Sequence, residues 1–337
     1  MKLSHSQRPF RPIAAAMLSA MLVIAGCAGN NNGNAAANNT AGNQPASAAP
    51  ELQKLSVVTS FYPLYYLTSE IGGEHVEVTN LISSGVEPHD WTPKSQDLNK
   101  ASKAELFLYH GAGLETWVED FTKGLSGDSA VMVKAMSEGI DLIEGEEDED
   151  EDSHDHSHED EHHHAIDPHT WVSPKSVLVL AQNVKNSLIA ADADNAAVYE
   201  QNYTALHGKL TTLDNDYAEK LGAVKQKNIV VSHEAFGYLA RDYGLNQVSI
   251  MGLNPDAEPR AQDILKIAKF VKENDVKYIF FEELVSDQLA VMLANEAKVE
   301  TMVLNPLEGL TKEQEKAGIT YLNLMQSNLQ NLVQALQ

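Results

Sequence analysis

Seven of the chain's thirteen histidines stand in one stretch, "HDHSHEDEHHHAIDPHTWVSP", residues 154–174. Neutral imidazole nitrogens ligate borderline ions such as Zn2+, and interleaved carboxylates add oxygen donors and negative charge. Six of the seven, His154, His156, His158, His162, His163 and His164, lie among Asp and Glu, with no apolar residue before Ala165 and Ile166. Such a segment cannot fold onto a core, so residues 144–164 are expected to form a disordered acidic loop. Its ligands would bind metal weakly and in exchange, raising the local concentration of cations near any tighter site. The seventh, His169, differs. It sits in "DPHTWVSP", directly ahead of a helix with Ser173 as cap and Pro174 in its first turn.

Two more histidines have comparable surroundings. His89 lies in "SGVEPHDWTP", after the strand-like "VEVTNLIS", and His233 follows "NIVVS" with Glu234 beside it. After "TMVL" comes "NPLEGL", which offers Asn305 and Glu308. Each of these alone is an ordinary loop side chain. Together, three imidazoles and one carboxylate suit Zn2+, which favours tetrahedral, nitrogen-rich shells.

The elements that must position them form an α/β pattern. Short β-branched runs ("LSVVTS", "VEVTNLIS", "ELFLYH", "AVMVKA") alternate with helical segments, and the habit returns in "NIVVSH", "VSIMGL", "KYIFFEE" and "ETMVLNP". This predicts two (β/α) lobes with mostly parallel sheets. Ligands in such sheets bind beyond the carboxyl ends of the strands, where these histidines fall, facing a shared cleft. Between the lobes Tyr199, Tyr203, Leu206, Leu210, Leu213, Tyr217 and Leu221 recur at helical spacing, with Asp194 as the expected N-cap. One long helix of about 40 Å would bridge the lobes. A shorter helix over "SPKSVLVLAQNVKNSL" presents Val177, Ala181, Val184 and Leu188 on one face, and a last helix is expected from about Lys312 to Leu336.

The chain opens with a basic stretch carrying Lys2, Arg8 and Arg11, then the apolar "IAAAMLSAMLVIAG", then the only cysteine, Cys27. That order predicts a signal peptide over 1–26, and "IAGC" resembles a lipobox in which Cys27 is lipidated. Residues 27–50, rich in Asn, Ala and Gly, read as a flexible tether. With Cys27 lipidated no disulfide is available, so the fold must stand on its apolar core. The net charge is −24, but twelve acidic residues with no Lys or Arg fall in residues 144–164, leaving −12 for the rest. No basic patch interleaved with aromatics exists, which argues against nucleic acid as a partner.

The segments "EPHDWTP", "DPHTWVSP" and "SHEAFGYLARDYGL" resemble the zinc-specific solute-binding proteins of ABC importers, the metal-binding cluster A-I. "FLYHGAGLETW" and "NPLEGLTKEQ" resemble family segments too, so the likeness spans roughly residues 55–335. It implies an N-terminal lobe over 51–193, a connecting helix over 194–224 and a C-terminal lobe over 225–337, with metal in the interlobe cleft. It implies a monomeric, extracytoplasmic lipoprotein held to the membrane through Cys27, which hands Zn2+ to a transmembrane permease. By position, the family's zinc histidines fall on His89, His169 and His233. Many relatives place an Asp at the position of Asn305; relatives with "NPLEG" use the Glu, here Glu308, and a bound water is the other option.

Two alternatives stand beside this. Manganese-binding relatives carry a carboxylate where His233 stands, and a one-residue shift would present Glu234 there, giving harder ligands. A zinc hydrolase would use an open coordination position with Glu234 as general base. No HExxH pair falls on one predicted helix, and Glu308 would close the sphere. His110 in "LYHGAG" reads as a packing and hydrogen-bonding residue, and His75 and His207 as surface. Phe61, Tyr62, Tyr65 and Tyr66 read as mostly core, and Trp91 and Trp171 as supports for the histidine loops.

Overall fold

The computed structural model describes residues 53–125, 130–144, 166–255 and 259–337. The expected signal peptide over 1–26, Cys27 with its expected tether, and His154, His156, His158, His162, His163 and His164 lie outside the described residues.

The first lobe runs β1 (Leu55–Thr59), α1 (Tyr62–Gly72), β2 (Val76–Asn80), α2 (Ser95–Ala101), β3 (Leu106–Tyr109), α3 (Val118–Leu125), β4 (Met132–Ala135) and α4 (Pro174–Ala191). Then comes α5 (Ala196–Ala223). The second lobe runs β5 (Asn228–Val231), α6 (Gly237–Tyr243), β6 (Asn246–Ser249), α7 (Ala261–Glu273), β7 (Tyr278–Phe281), α8 (Gln288–Ala297), β8 (Glu300–Val303), α9 (Lys312–Lys316) and α10 (Tyr321–Ala335). Both sheets are parallel and share one topology, β2-β1-β3-β4 and β6-β5-β7-β8. The strand order therefore reverses once in each, between β1 and β3 and between β5 and β7, which is where ligand crevices open in such sheets.

Alternation along the strands sets the layers. Leu55 and Val57 of β1 join one apolar cluster while Val58 joins another; Ile229 and Val231 of β5 divide from Val230 in the same way. The largest cluster crosses the lobe boundary. It takes Phe61, Leu108 and Val177 from the first lobe, the buried face of α5, and Val231, Leu304 and Leu332 from the second. That face of α5 is Tyr199, Leu206, Leu210, Leu213, Tyr217 and Leu221. At about 1.5 Å per residue the 28-residue helix spans about 42 Å. It serves both lobes as a shared wall.

Three details depart from expectation. Asp194 does not cap α5; it lies in a 3-10 turn, Ala193–Asn195, and Asn195 occupies the cap position without a side-chain bond. The C-terminal helix is two. Gly318 turns left-handed at φ 68°, Ile319 N donates back to Gln314 O at 3.0 Å, and Thr320 opens α10 with a capping box to Asn323. Finally, Glu144 belongs to the fold, paired antiparallel with Ile166. Among the described residues no helix is long and apolar enough to cross a membrane.

Candidate metal centre

His89, His169, His233 and Glu308 converge, with one potential ligand atom from each lying within 4.8 Å of the others. They arrive from separate elements. His89 stands on the loop between β2 and α2, His233 two residues past β5, and Glu308 on the loop after β8. His169 opens the 3-10 turn Thr170–Val172 that leads into α4. Among the described residues no other group of three or more His, Cys, Asp or Glu converges in this way. Glu234, one residue from His233, is not a member.

The spacing decides what the group can hold. His169 Nε2 lies 3.1 Å from His89 Nε2 and 3.3 Å from His233 Nε2. Glu308 Oε1 lies 3.3 Å from His169 Nε2, 3.4 Å from His89 Nε2 and 3.6 Å from His233 Nε2. Around an ion with bonds of about 2.0–2.1 Å, the edges of a regular tetrahedron are about 3.3–3.4 Å long. Protons alone satisfy the group poorly, because two facing imidazole nitrogens can share only one hydrogen. Glu308 Oε1 is buried and without an aligned hydrogen bond. His169, His233 and Glu308 are essentially excluded from solvent, and only His89 is partly exposed.

The far side of each buried imidazole is fixed by a carboxylate. His169 Nδ1 pairs with Asp167 Oδ1 at 2.8 Å, and His233 Nδ1 with Glu282 Oε1 at 2.6 Å. Each partner leaves Nε2 as the nitrogen turned to the centre and strengthens its basicity. Burial alone would lower both imidazoles. For His233 the Glu282 carboxylate, and then Glu308, outweigh burial and push it up to about 10. For His169 the same contest, with Asp167 and Glu308 opposing burial, ends above the usual value. Burial raises the Glu308 carboxyl, but the three imidazoles prevail and hold it well below the usual carboxylate range.

These carboxylates are the residues that sequence reading missed, and two had a signal. "EPH" and "DPH" are one pattern: the acid two residues before each histidine accepts that histidine's backbone N–H. Glu87 Oε1 does so for His89 at 3.0 Å, and Asp167 Oδ1 for His169 at 2.9 Å. Glu282 stands immediately past β7, at a strand's carboxyl end like His233. Asn305 is not turned to the centre. Its Oδ1 accepts Leu307 N at 2.7 Å and its Nδ2 donates to Glu283 at 2.7 Å, bracing a turn in which Leu307 adopts φ 62° and Glu308 follows.

The other histidines sort as follows. His110 is fully buried, 2.9 Å from Pro168 O through Nε2 and edge-on to Phe61 and Trp171; burial pushes it down to about 3. It packs beneath the site. His75 is half-buried rather than a free surface residue, while His207 is exposed. Trp171, wholly buried, donates Nε1–H to Pro306 O at 2.8 Å, and its carbonyl accepts Tyr321 OH at 2.6 Å. Trp91 packs edge-on to Trp117. Phe61, Tyr62 and Tyr66 are buried, and Tyr65 is exposed.

Two lobes on one connecting helix, with a buried group of three histidines and one carboxylate in the crevice between them, define a two-lobed α/β fold with a metal-binding cluster that bridges the lobes. Comparison with known proteins specifies which kind. The chain belongs to the family of the zinc-uptake complex component A, periplasmic (ZnuA), whose model matches residues 57–335. It is 43% identical over 281 residues to the zinc-binding lipoprotein AdcA of Streptococcus pneumoniae R6, covering 83% of this chain and 56% of AdcA. The chain thus spans about half the length of these first relatives. It is 44% identical over 290 residues to the high-affinity zinc uptake system protein ZnuA of Bacillus subtilis, covering 86% of this chain and 90% of that protein. The crystal structure of the Zn(II)-bound ZnuA-like domain of S. pneumoniae AdcA superposes with a TM-score of 0.71 at 39% identity, covering 84% of this chain and 99% of that one.

Proposed function

We propose that this protein captures Zn2+ outside the cytoplasm and delivers it to the transmembrane permease of an ABC importer, with His89, His169, His233 and Glu308 as its four ligands. The observation that carries the reading is that five of the six distances among the four ligand atoms are 3.1–3.6 Å, close to the edges of a zinc tetrahedron, with all four atoms within 4.8 Å of one another. Three imidazoles with one carboxylate favour zinc over manganese, which prefers oxygen. The names of the AdcA and ZnuA relatives support the same cargo.

A carrier fits better than a hydrolase. Glu308 takes the corner that a catalytic zinc would leave to water, and burial encloses the ion away from any larger substrate. In this reading the lobes are residues 51–193 and 225–337 with the connector at 194–224. Lipid on Cys27 holds a monomer at the membrane, and the six histidines of 154–164 collect zinc weakly.

The test is zinc titration calorimetry on single variants in a background lacking residues 146–164, which removes competing weak ligands. His169→Ala and His233→Ala should weaken binding by about two orders of magnitude or more. Glu308→Ala should cost less, because water can replace an oxygen donor. Unchanged affinity in His233→Ala would sink the ligand assignment.

A further inference from the structure

Asp167 holds the ring of His169, and a residue of the other lobe in turn holds Asp167. Ile143 and Asp167 face each other where the chain leaves the described fold at Glu144 and returns at Ile166. Such an antiparallel pair normally exchanges two backbone hydrogen bonds. Here one is direct, Asp167 N to Ile143 O at 2.9 Å. The other is routed through a side chain. Ile143 N donates to the Tyr238 hydroxyl at 3.0 Å, and that hydroxyl donates to Asp167 O at 2.7 Å. Tyr238 lies on α6 and is fully buried.

The rest of α6 reinforces this clasp. Arg241 lies over the Tyr238 ring, 5.0 Å from its centroid, and donates to Asp141 O at 2.7 Å. Asp242 accepts from Ser173 Oγ at 2.5 Å, four residues beyond His169. Gly237 lies so close that a Cβ there would stand 2.6 Å from Asp167 Oδ2.

We propose that Tyr238 is a positioning residue for zinc: its hydroxyl completes the Ile143–Asp167 pair and so sets the carboxylate that aims His169 Nε2 at the centre. Without that hydroxyl, Ile143 N and Asp167 O are left facing each other across the width of one atom. The pair must then shift to satisfy them, and Asp167 moves with it. The proposal rests on the ligand reading given above.

Tyr238→Phe keeps the ring and removes the link. Partners of metal-ligating histidines typically contribute about 10–100-fold in affinity. For a residue one step further out, zinc affinity measured by chelator competition should fall about tenfold, with faster release. The control is Tyr217→Phe. Tyr217 is also wholly buried, and its hydroxyl donates to Met325 O at 2.7 Å, between α5 and α10. It should lower thermal stability and leave zinc affinity unchanged. In the zinc-loaded protein the His169 Nδ1 proton resonance should broaden in Tyr238→Phe and stay sharp in Tyr217→Phe. Gly237→Ala, which presses on the same carboxylate from α6, should weaken zinc binding as well, and it decides the matter if Tyr238→Phe does not fold. Wild-type affinity in Tyr238→Phe, or an equal loss in Tyr217→Phe, overturns the proposal. Wild-type affinity in His169→Ala would instead overturn the ligand reading beneath it.

Discussion

At the residue scale, the centre pits metal against protons. The Glu282 carboxylate that orients His233 also keeps its imidazole charged in the metal-free fold, with a value pushed up to about 10. A raised value means that the charged form adds stability below the unfolded value of about 6.5, and that this is lost as pH rises through about 10. Zinc requires the neutral imidazole, so at neutral pH binding must expel that proton. Zinc affinity should therefore rise with pH between about 6 and 8, by up to about tenfold per unit for each proton released. Calorimetry in buffers of different ionisation enthalpy measures the proton count directly. A count of zero at pH 7 would show that His233 is already neutral before the metal arrives.

At the element scale, the loops that carry ligands are held by backbone details remote from the metal. The break between α9 and α10 shows how local such details are. Gly318 has φ 68° and open space where a Cβ would go, so Gly318→Ala meets only backbone strain. It should destabilise the fold by about 1 kcal/mol. Zinc affinity should not change, since α9 and α10 supply no ligand. Denaturant melting beside zinc titration checks both halves; a loss of affinity would mean that the turn reaches the Glu308 loop.

At the scale of the whole molecule, two sheets do not make two independent folding units here. The main apolar cluster runs from Phe61 through α5 to Leu332, so each lobe buries part of its surface against the other's support. Unfolding of residues 51–337 should be a single transition by calorimetry. Zinc should shift it as one, by about 2.7 kcal/mol when free zinc is 100 times its dissociation constant. Two resolved transitions, with only one responding to zinc, would refute the shared core.

The sequence by itself determined the architecture and supplied the candidates for the site. Period-two alternation and parallel crossovers are local signals, and the α5 stripe of Tyr199 to Leu221 is regular enough to read unaided. Chemical type and position made His89, His169 and His233 candidates, with Asn305 and Glu308 both open beside them, and the resemblance to the zinc solute-binding family pointed to Glu308 or a bound water as the fourth ligand. Local signals could not show which groups face one another across the molecule. That Glu282 pairs with His233, that Asn305 donates to Glu283 rather than turning to the centre, and that Tyr238 closes the Ile143–Asp167 pair are all contacts between segments distant in the chain. The first two form where neighbouring strands of the second sheet end side by side, and the Tyr238 contact forms only when the two lobes pack on their shared helix. The close approach of His89, His169, His233 and Glu308 is likewise a property of the assembled cleft, because each side chain is delivered by a different loop.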